Sequence, residues 1–132
     1  MKTYALRLCP DQDLREALDD FSNGYSIRAA VILTCVGSLK HAVLRMADEN
    51  VIREFDEKFE IVSLVGTLSP DGNHIHMSLS DRGGKTIGGH LKKGCIIHTT
   101  AEIVIAEGDG LSFSRECDAR TGFDELVIKE YN

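Results

Sequence analysis

Two histidines separated by one residue stand out in the segment from Gly72 to Ser80, which reads Gly-Asn-His-Ile-His-Met-Ser-Leu-Ser. Successive side chains of a β-strand point to opposite faces of the sheet. The apolar residues of this segment are therefore expected in the core, while His74 and His76 share the opposite face. Two imidazoles on one strand face can reach a single metal ion, and the segment predicts such a pair.

A third histidine lies where it could join this pair. His90 follows Gly88 and Gly89, and glycines let a backbone approach its neighbours closely. A strand or loop through these glycines could bring His90 beside His74 and His76. Three neutral imidazoles suit Zn²⁺ or a similar divalent ion, with a fourth position left open to water or substrate. The alternative is a polar sheet face with His90 as a surface residue.

Two glutamates stand alone on otherwise apolar predicted strands, Glu60 in Phe-Glu-Ile-Val and Glu102 in Ala-Glu-Ile-Val. Histidine ligands usually donate their second ring nitrogen to a carboxylate or carbonyl, so either glutamate could orient a ligand. Either could also act as a general acid or base with a pKa raised by burial. The competing interpretation places both on solvated faces or pairs them with Arg7 or Arg45.

Other polar residues are weaker candidates for a site. His41 is predicted to face water and His98 to lie at a surface or interface, neither with a partner at metal spacing. Arg115 is predicted to form a structural pair with Asp118. The alternative role for Arg115 is binding of an anionic ligand.

The elements that must position these side chains begin with a strand over residues 3–9 and a helix. Apolar residues recur at helical spacing after Asp11 and Asp13, either of which could cap the helix. Asn23-Gly24 is predicted to end the helix, with a left-handed conformation at the glycine.

The rest of the chain is predicted as strands at hairpin spacing. These strands cover residues 29–36, 39–46, 51–55, 59–68, 74–80, 96–106, 111–116 and 126–131. The apolar run 29–36 is typical of a strand covered on both faces, and Gly37-Ser38 is predicted to bend the chain after it. Strands 96–106 and 111–116 are predicted to form one hairpin. We therefore expect an α+β fold, a mainly antiparallel sheet with one N-terminal helix, in a single compact domain over residues 1–132.

Composition narrows the classes of function. The chain has 15 basic and 21 acidic residues and a net charge of -6. Lys and Arg supply most non-specific DNA affinity, so this balance argues against direct DNA contact. No apolar run approaches the length of a membrane span, and the charged N-terminal stretch is not typical of a signal peptide. Four widely spaced cysteines, mostly in apolar surroundings, predict buried free thiols and a cytoplasmic location.

Several segments together resemble the PPC (plant and prokaryote conserved) domain family. The matching segments, in chain order, are Gly37-Ser38, Phe59 to Leu68, Gly72 to Asp81, Gly88 to Leu91 with Gly94-Cys95, Thr99 to Ile103, and Arg115 with Asp118 and Thr121 to Phe123. They span nearly the whole chain, and their shared order is more specific than any one motif.

The resemblance implies an antiparallel α+β fold that assembles as a homotrimer. It also implies that His74, His76 and His90 hold a metal ion, commonly taken as zinc, as in stand-alone bacterial and archaeal members. The family carries a DNA-binding label, which implies a DNA-binding or regulatory protein, although the AT-hook arms of plant members have no counterpart in this sequence. The fold is also similar to acetolactate decarboxylase, whose metal is held by three histidines. That similarity implies the alternative function, a metal-dependent lyase or hydrolase acting on a small carbonyl substrate.

Overall fold

One helix and nine strands follow one another in residues 1–131, the part of the chain that the computed structural model describes. They are β1 (Lys2–Leu8), α1 (Leu14–Gly24), β2 (Ala30–Arg45), β3 (Ile52–Phe55), β4 (Phe59–Leu68), β5 (His74–Ser80), β6 (Thr86–Leu91), β7 (Ile96–Glu107), β8 (Leu111–Cys117) and β9 (Asp124–Glu130). The strands form a seven-stranded sheet and a two-stranded sheet, and neighbouring strands in both pair antiparallel. The predicted α+β class is confirmed. Helix α1, at 11 residues, is too short to cross a membrane.

Strand β2 is the centre of the main sheet. Seven strands form this sheet in the order β1-β7-β2-β4-β5-β6, and β3 pairs with the end of β2. Strand β6 also pairs back onto β2 through Leu44–Leu91 and Arg45–His90, so β2, β4, β5 and β6 close a ring. Fully buried side chains such as Leu79 fill its interior. Each strand of the ring is braced by neighbours on two sides, which fixes the positions of its outward-facing side chains.

The N-terminus of helix α1 is tied to the sheet by its cap. Asp13 accepts a hydrogen bond from the backbone N–H of Glu16 at 3.0 Å and another from Gly94 at 2.8 Å. Asp13 is thus the cap, and it also anchors the turn before β7. Leu14 and Leu18 follow on the buried face of the helix.

Helix α1 ends at Gly24, as predicted, but without the expected left-handed glycine. A left-handed Gly24 is wrong, because Gly24 is helical and the next residue, Tyr25, still donates its N–H to the carbonyl of Phe21 at 3.1 Å. The left-handed conformation falls on Ser26, whose φ is 52°.

Strand β2 runs without a break through Gly37 and Ser38, so the predicted bend there is wrong. The glycine serves a different purpose. A Cβ on Gly37 would collide with the carbonyl oxygen of Thr100 on β7. The missing side chain lets the two strands approach closely, and their register shifts immediately afterwards.

The apolar run 29–36 is covered on one face only in the isolated chain, which corrects the prediction of two covered faces. Leu33 and Val36 point outward, beside Val62 and Val65 of β4, and all four are between 56% and 59% exposed. We call these four residues the apolar face. An apolar run in sequence cannot reveal whether the same chain supplies the second cover.

Strands β7 and β8 do not form the predicted hairpin. Strand β7 pairs with β1 and β2 in the main sheet, whereas β8 pairs with β9 in a separate two-stranded ribbon. The ribbon rests on the ends of the main sheet. The backbone N–H of Arg115 donates to Asp71 at 2.9 Å, and that of Phe113 donates to the carbonyl of Arg28 at 3.0 Å.

Candidate metal centre

The segment His74–Ser80 forms strand β5 with the alternation that its sequence predicts. Ile75, Met77 and Leu79 are buried in the core. His74 and His76 therefore point to the outer face of the ring, where their rings lie together.

The paired glycines bring the third histidine to the same place. Strand β6 aligns His90 directly opposite His76 of β5 and opposite Arg45 of β2. A Cβ on Gly89 would lie 2.6 Å from the carbonyl oxygen of Arg45, and one on Gly88 would lie 2.8 Å from that of Met77. Only residues without a side chain allow β6 to fit between both neighbours. The prediction that the glycines permit a close approach is confirmed.

The three imidazoles converge on one point. The Nε2 atoms of His74 and His76 are 3.1 Å apart, and one ring nitrogen from each histidine lies within 4.8 Å of the others. Two nitrogen ligands of a tetrahedral zinc ion, each at ~2.0–2.1 Å from the metal, stand ~3.3 Å apart. The spacing of His74 and His76 is therefore close to that of a ligand pair.

The surroundings of His74 and His90 favour the neutral form of both rings. Burial lowers the pKa of His74, and His76, Arg115 and Arg45 lower it further. Burial and the nearby Arg45 guanidinium lower the pKa of His90 to about 4. Neutral imidazole is the form that binds a metal ion, so His74 and His90 are ligands that need not first release a proton.

A buried nitrogen without a partner supports the fit of a metal ion. Within residues 1–131, Nδ1 of His90 is buried and has no hydrogen-bond partner. Buried polar atoms are nearly always satisfied, by protein, water or an ion. The donor set, three neutral nitrogens close together, has the composition and size of a zinc site.

The three histidines line the floor of a cavity of ≈ 470 Å³. Its wall combines the end of β2 and the following loop, the turn before β5, and the ribbon. The lining residues are Arg45, Ala47, Glu49, Gly72, Asn73, His74, His76, His90, Arg115, Phe123, Asp124 and Glu125. A metal ion on this floor would have coordination positions facing the cavity.

A protein-family model matches the sequence that builds this site. The model for the Plants and Prokaryotes Conserved (PCC) domain covers residues 1–109. The chain belongs to the PCC domain family. This is the family, also abbreviated PPC, that the sequence motifs resemble.

Relatives of this PCC domain occur as parts of larger proteins. The bifunctional protein GlmU of Synechococcus sp. (strain JA-3-3Ab) is 45% identical over 130 residues, which are 98% of this chain and 21% of that protein. A GlmU from a second Synechococcus strain is also 45% identical, and the match covers 20% of its length. The chain thus spans about a fifth of the length of these curated relatives.

Solved structures share the fold along almost the whole chain. A hypothetical protein from Salmonella cholerae-suis superposes with a TM-score of 0.94 at 42% identity, covering 98% of this chain and 94% of that one. A metal-containing protein from Archaeoglobus fulgidus gives 0.84 at 29% identity, covering 96% and 94%. A Bacteroides thetaiotaomicron protein proposed to bind DNA gives 0.86 at 21% identity, covering 95% and 91%, which is a likeness of fold alone.

The two glutamates singled out from the sequence do not line the cavity. Glu60 pairs in register with Ser80 at the far end of β5 from the histidines. Glu102 lies on β7, opposite Val36. Among the described residues, neither carboxylate hydrogen bonds to an imidazole. The carboxylates that do line the cavity belong to Glu49, Asp124 and Glu125, and sequence spacing gave no sign of them.

Arg115 lines the cavity, and its predicted pair with Asp118 is wrong. Asp118 instead pairs with the nearby Arg120 at 3.2 Å. Arg115 donates to the carbonyl of Asp124 and to Oγ1 of Thr67, both at 3.3 Å. The two-residue spacing of Asp118 and Arg120 was the local signal for the correct pair.

A hydrogen-bonded cluster under the cavity was also missed by sequence reasoning. Asn73, directly before His74, is buried and donates from Nδ2 to Asp19 of helix α1 at 2.9 Å. Its Oδ1 accepts from Ser22 at 3.3 Å and from the backbone of Ser69 at 3.2 Å. The cluster connects the helix to the start of the metal-site strand.

The remaining histidines lie outside the three-histidine cluster. His41 contacts Glu54 at 2.7 Å and Asp56 at 3.2 Å, and these carboxylates raise its pKa. His98 lies half-buried on β7.

Proposed function

We propose that this PCC-domain protein binds zinc or a similar divalent ion through His74, His76 and His90 and uses it on a small-molecule ligand in the adjoining cavity. The observation that carries the proposal is the convergence of the three ring nitrogens within 4.8 Å on the cavity floor. A structural zinc ion usually has four protein ligands, whereas three ligands leave a position for water or substrate. The metal-containing relative from Archaeoglobus fulgidus, 29% identical, supports the same assignment.

The chemistry that fits best is that of a metal-dependent lyase or hydrolase acting on a small carbonyl compound. A bound divalent ion supplies Lewis acidity, which polarises a carbonyl oxygen. The candidates to accept or return a proton are the cavity carboxylates of Glu49 and Glu125, since Glu60 and Glu102 do not line the cavity.

Metal analysis is the direct test of this proposal. Protein purified without a histidine tag should contain or take up zinc in a 1:1 ratio with the chain. His76→Ala should abolish tight uptake, because removing one of three ligands leaves too few donors. The control is His98→Ala, which changes a histidine of β7 outside the cavity. A wild-type protein that refuses zinc, cobalt and manganese contradicts the proposal.

We propose a homotrimer as the functional assembly. The apolar face, Leu33 and Val36 of β2 with Val62 and Val65 of β4, supports self-association. Contiguous exposed apolar side chains on a sheet commonly mark an interface. The trimer is what the family resemblance implies.

A DNA-binding or regulatory role is the second candidate. It is supported by the Bacteroides thetaiotaomicron structure of the same fold that is proposed to bind DNA. The net charge of -6 acts against it, although a trimer could gather basic residues from three chains. Titration of a labelled duplex at about 50 and 200 mM salt decides the matter, since phosphate contacts weaken steeply with salt. Failure to bind at the lower salt concentration removes this candidate.

We also propose that the protein works in the cytoplasm. All four cysteines are free thiols, and burial raises the pKa of both Cys35 and Cys95 to about 11. Unpaired thiols are typical of a reducing compartment.

A further inference from the structure

Arg45 lines the cavity, and one donor of its guanidinium has no partner in the described part of the chain. It lies at the end of β2, directly across from His90, and lines the cavity wall. Its Nε is buried and has no hydrogen-bond partner within residues 1–131. A buried charged donor without a partner is costly, and a bound anion is a natural way to satisfy it.

Arg115 approaches the same cavity from the ribbon. Its two contacts, to the carbonyl of Asp124 and to Thr67, fix the plane of the guanidinium. A guanidinium has five N–H donors, so most remain free for a ligand. Two arginines on different walls of one cavity form a binding arrangement that neither would provide alone.

The charges around the cavity favour an anion once a metal ion is bound. The charged side chains that line the cavity are two guanidiniums and three carboxylates, those of Glu49, Asp124 and Glu125. A divalent ion on the histidines makes the combined charge positive. Glu49 and Asp124 are exposed to solvent, whereas the half-buried charges of the cavity are two guanidiniums, Arg45 and Arg115, and one carboxylate, Glu125. The inner part of the cavity is therefore its more positive part.

We propose that the ligand is a small organic carboxylate whose anionic group is held by Arg45 and Arg115. The proposal rests on the metal centre proposed above and adds the class of its ligand. Planar carboxylates match the paired N–H donors of arginine, and charge-assisted hydrogen bonds of this kind are the stronger ones. The cavity of ≈ 470 Å³ has room for a compact molecule.

The probe is lactate, compared with lactamide, which has nearly the same shape without the charge. Binding of each is measured by calorimetry and ligand-observed NMR, in zinc-loaded and metal-free protein. We expect lactate to bind at least about tenfold more tightly than lactamide, because charged hydrogen bonds are lost with the amide. Equal binding of the two compounds, or binding of neither, overturns the proposal without any variant.

Two variants assign the binding to the arginines. Arg45→Met and Arg115→Met should each weaken lactate binding about tenfold, while the control Arg82→Met, in an exposed turn, should leave it unchanged. Circular dichroism confirms the fold of each variant, and Arg115→Met, on the ribbon, serves if Arg45→Met misfolds. Wild-type affinity for lactate in a folded Arg115→Met variant also overturns the proposal.

The outcome separates the two proposals. Zinc uptake without preference for lactate removes the carboxylate site and leaves the metal centre. Arginine-dependent lactate binding in a protein that refuses zinc removes the metal centre and leaves the anion site.

Discussion

Nη2 of Arg15 donates a hydrogen bond of 2.7 Å to the main-chain carbonyl of Asn73, the residue directly before His74. Nη1 of the same guanidinium lies 3.3 Å from the carbonyl of Leu91, the residue directly after His90. One helix side chain thus joins the start of β5 to the end of β6. The two hydrogen bonds of Arg15 therefore help to fix the distance between His74 and His90.

The first prediction concerns this contact. Arg15→Met should weaken zinc affinity about 10-fold to 100-fold, as is typical when support behind a ligand is lost. Chelator competition measures the affinity. Arg7→Met is the matched control, because Arg7 also hydrogen bonds to a side chain and to a carbonyl, on β1 and away from the cavity. Equal affinities for the two variants would show that Arg15 does not position the ligands.

The second prediction is a loss of stability in acid for the metal-free protein. The folded-state pKa of His90 is about 4, below its ordinary value of 6.5. The unfolded chain therefore takes up this proton first, so the contribution to stability is present above pH 6.5 and is lost as the pH falls towards 4.

Urea unfolding in the presence of a chelator, at several pH values across this range, measures the effect. His90→Gln should show a smaller decline than the wild type, because the titrating group is gone. Parallel curves for the two proteins would mean that other groups cause the decline.

The third prediction concerns the paired glycines. Gly89→Ala places a methyl group 2.6 Å from the carbonyl oxygen of Arg45, a backbone atom that cannot turn aside. Strand β6 must then shift, which should cost about 1–3 kcal/mol in the free energy of unfolding and disturb zinc binding. Gly83→Ala, in the preceding turn, is the control, since its new Cβ would meet only the carboxylate of Asp81 at 3.5 Å. An unchanged Gly89→Ala variant would contradict this account of the glycines.

The fourth prediction tests self-association. Val65→Lys places a charge on the apolar face and should convert the proposed trimer to monomers, as measured by light scattering after gel filtration. Ile128→Lys is the control, because Ile128 is similarly exposed, at 58%, but lies on the ribbon. A wild-type protein that is monomeric at all concentrations, or a Val65→Lys variant that remains trimeric, would contradict the proposed interface.

Local patterns predicted the parts of the site that depend on one strand or one backbone conformation. The alternation of His74 and His76 with apolar residues defines their face, and the glycines before His90 indicate a close approach. Both follow from short-range geometry. The same kind of reasoning located the helix cap at one of two aspartates.

Features that depend on distant segments were beyond the sequence. Arg15 and Arg45 reach the site because helix α1 packs under it and β6 closes onto β2, and neither event leaves a local pattern. The hairpin predicted after β7 was wrong for the same reason. A turn after Glu107 is locally favourable, but β7 finds its partners in β1 and β2 instead.

His90 also lies where β6 pairs with both β5 and β2, the point at which the ring of strands closes. An ion shared by the three imidazoles would hold β6 against β5 and β2, because all three ligands come together only when β6 is paired with both strands. Metal occupancy and strand closure are then linked, and the stabilisation of the closed ring grows with the logarithm of the ratio of free metal concentration to Kd. Amide protons of β6 should consequently exchange more slowly in the loaded protein, and the metal should leave at the rate at which this one strand opens.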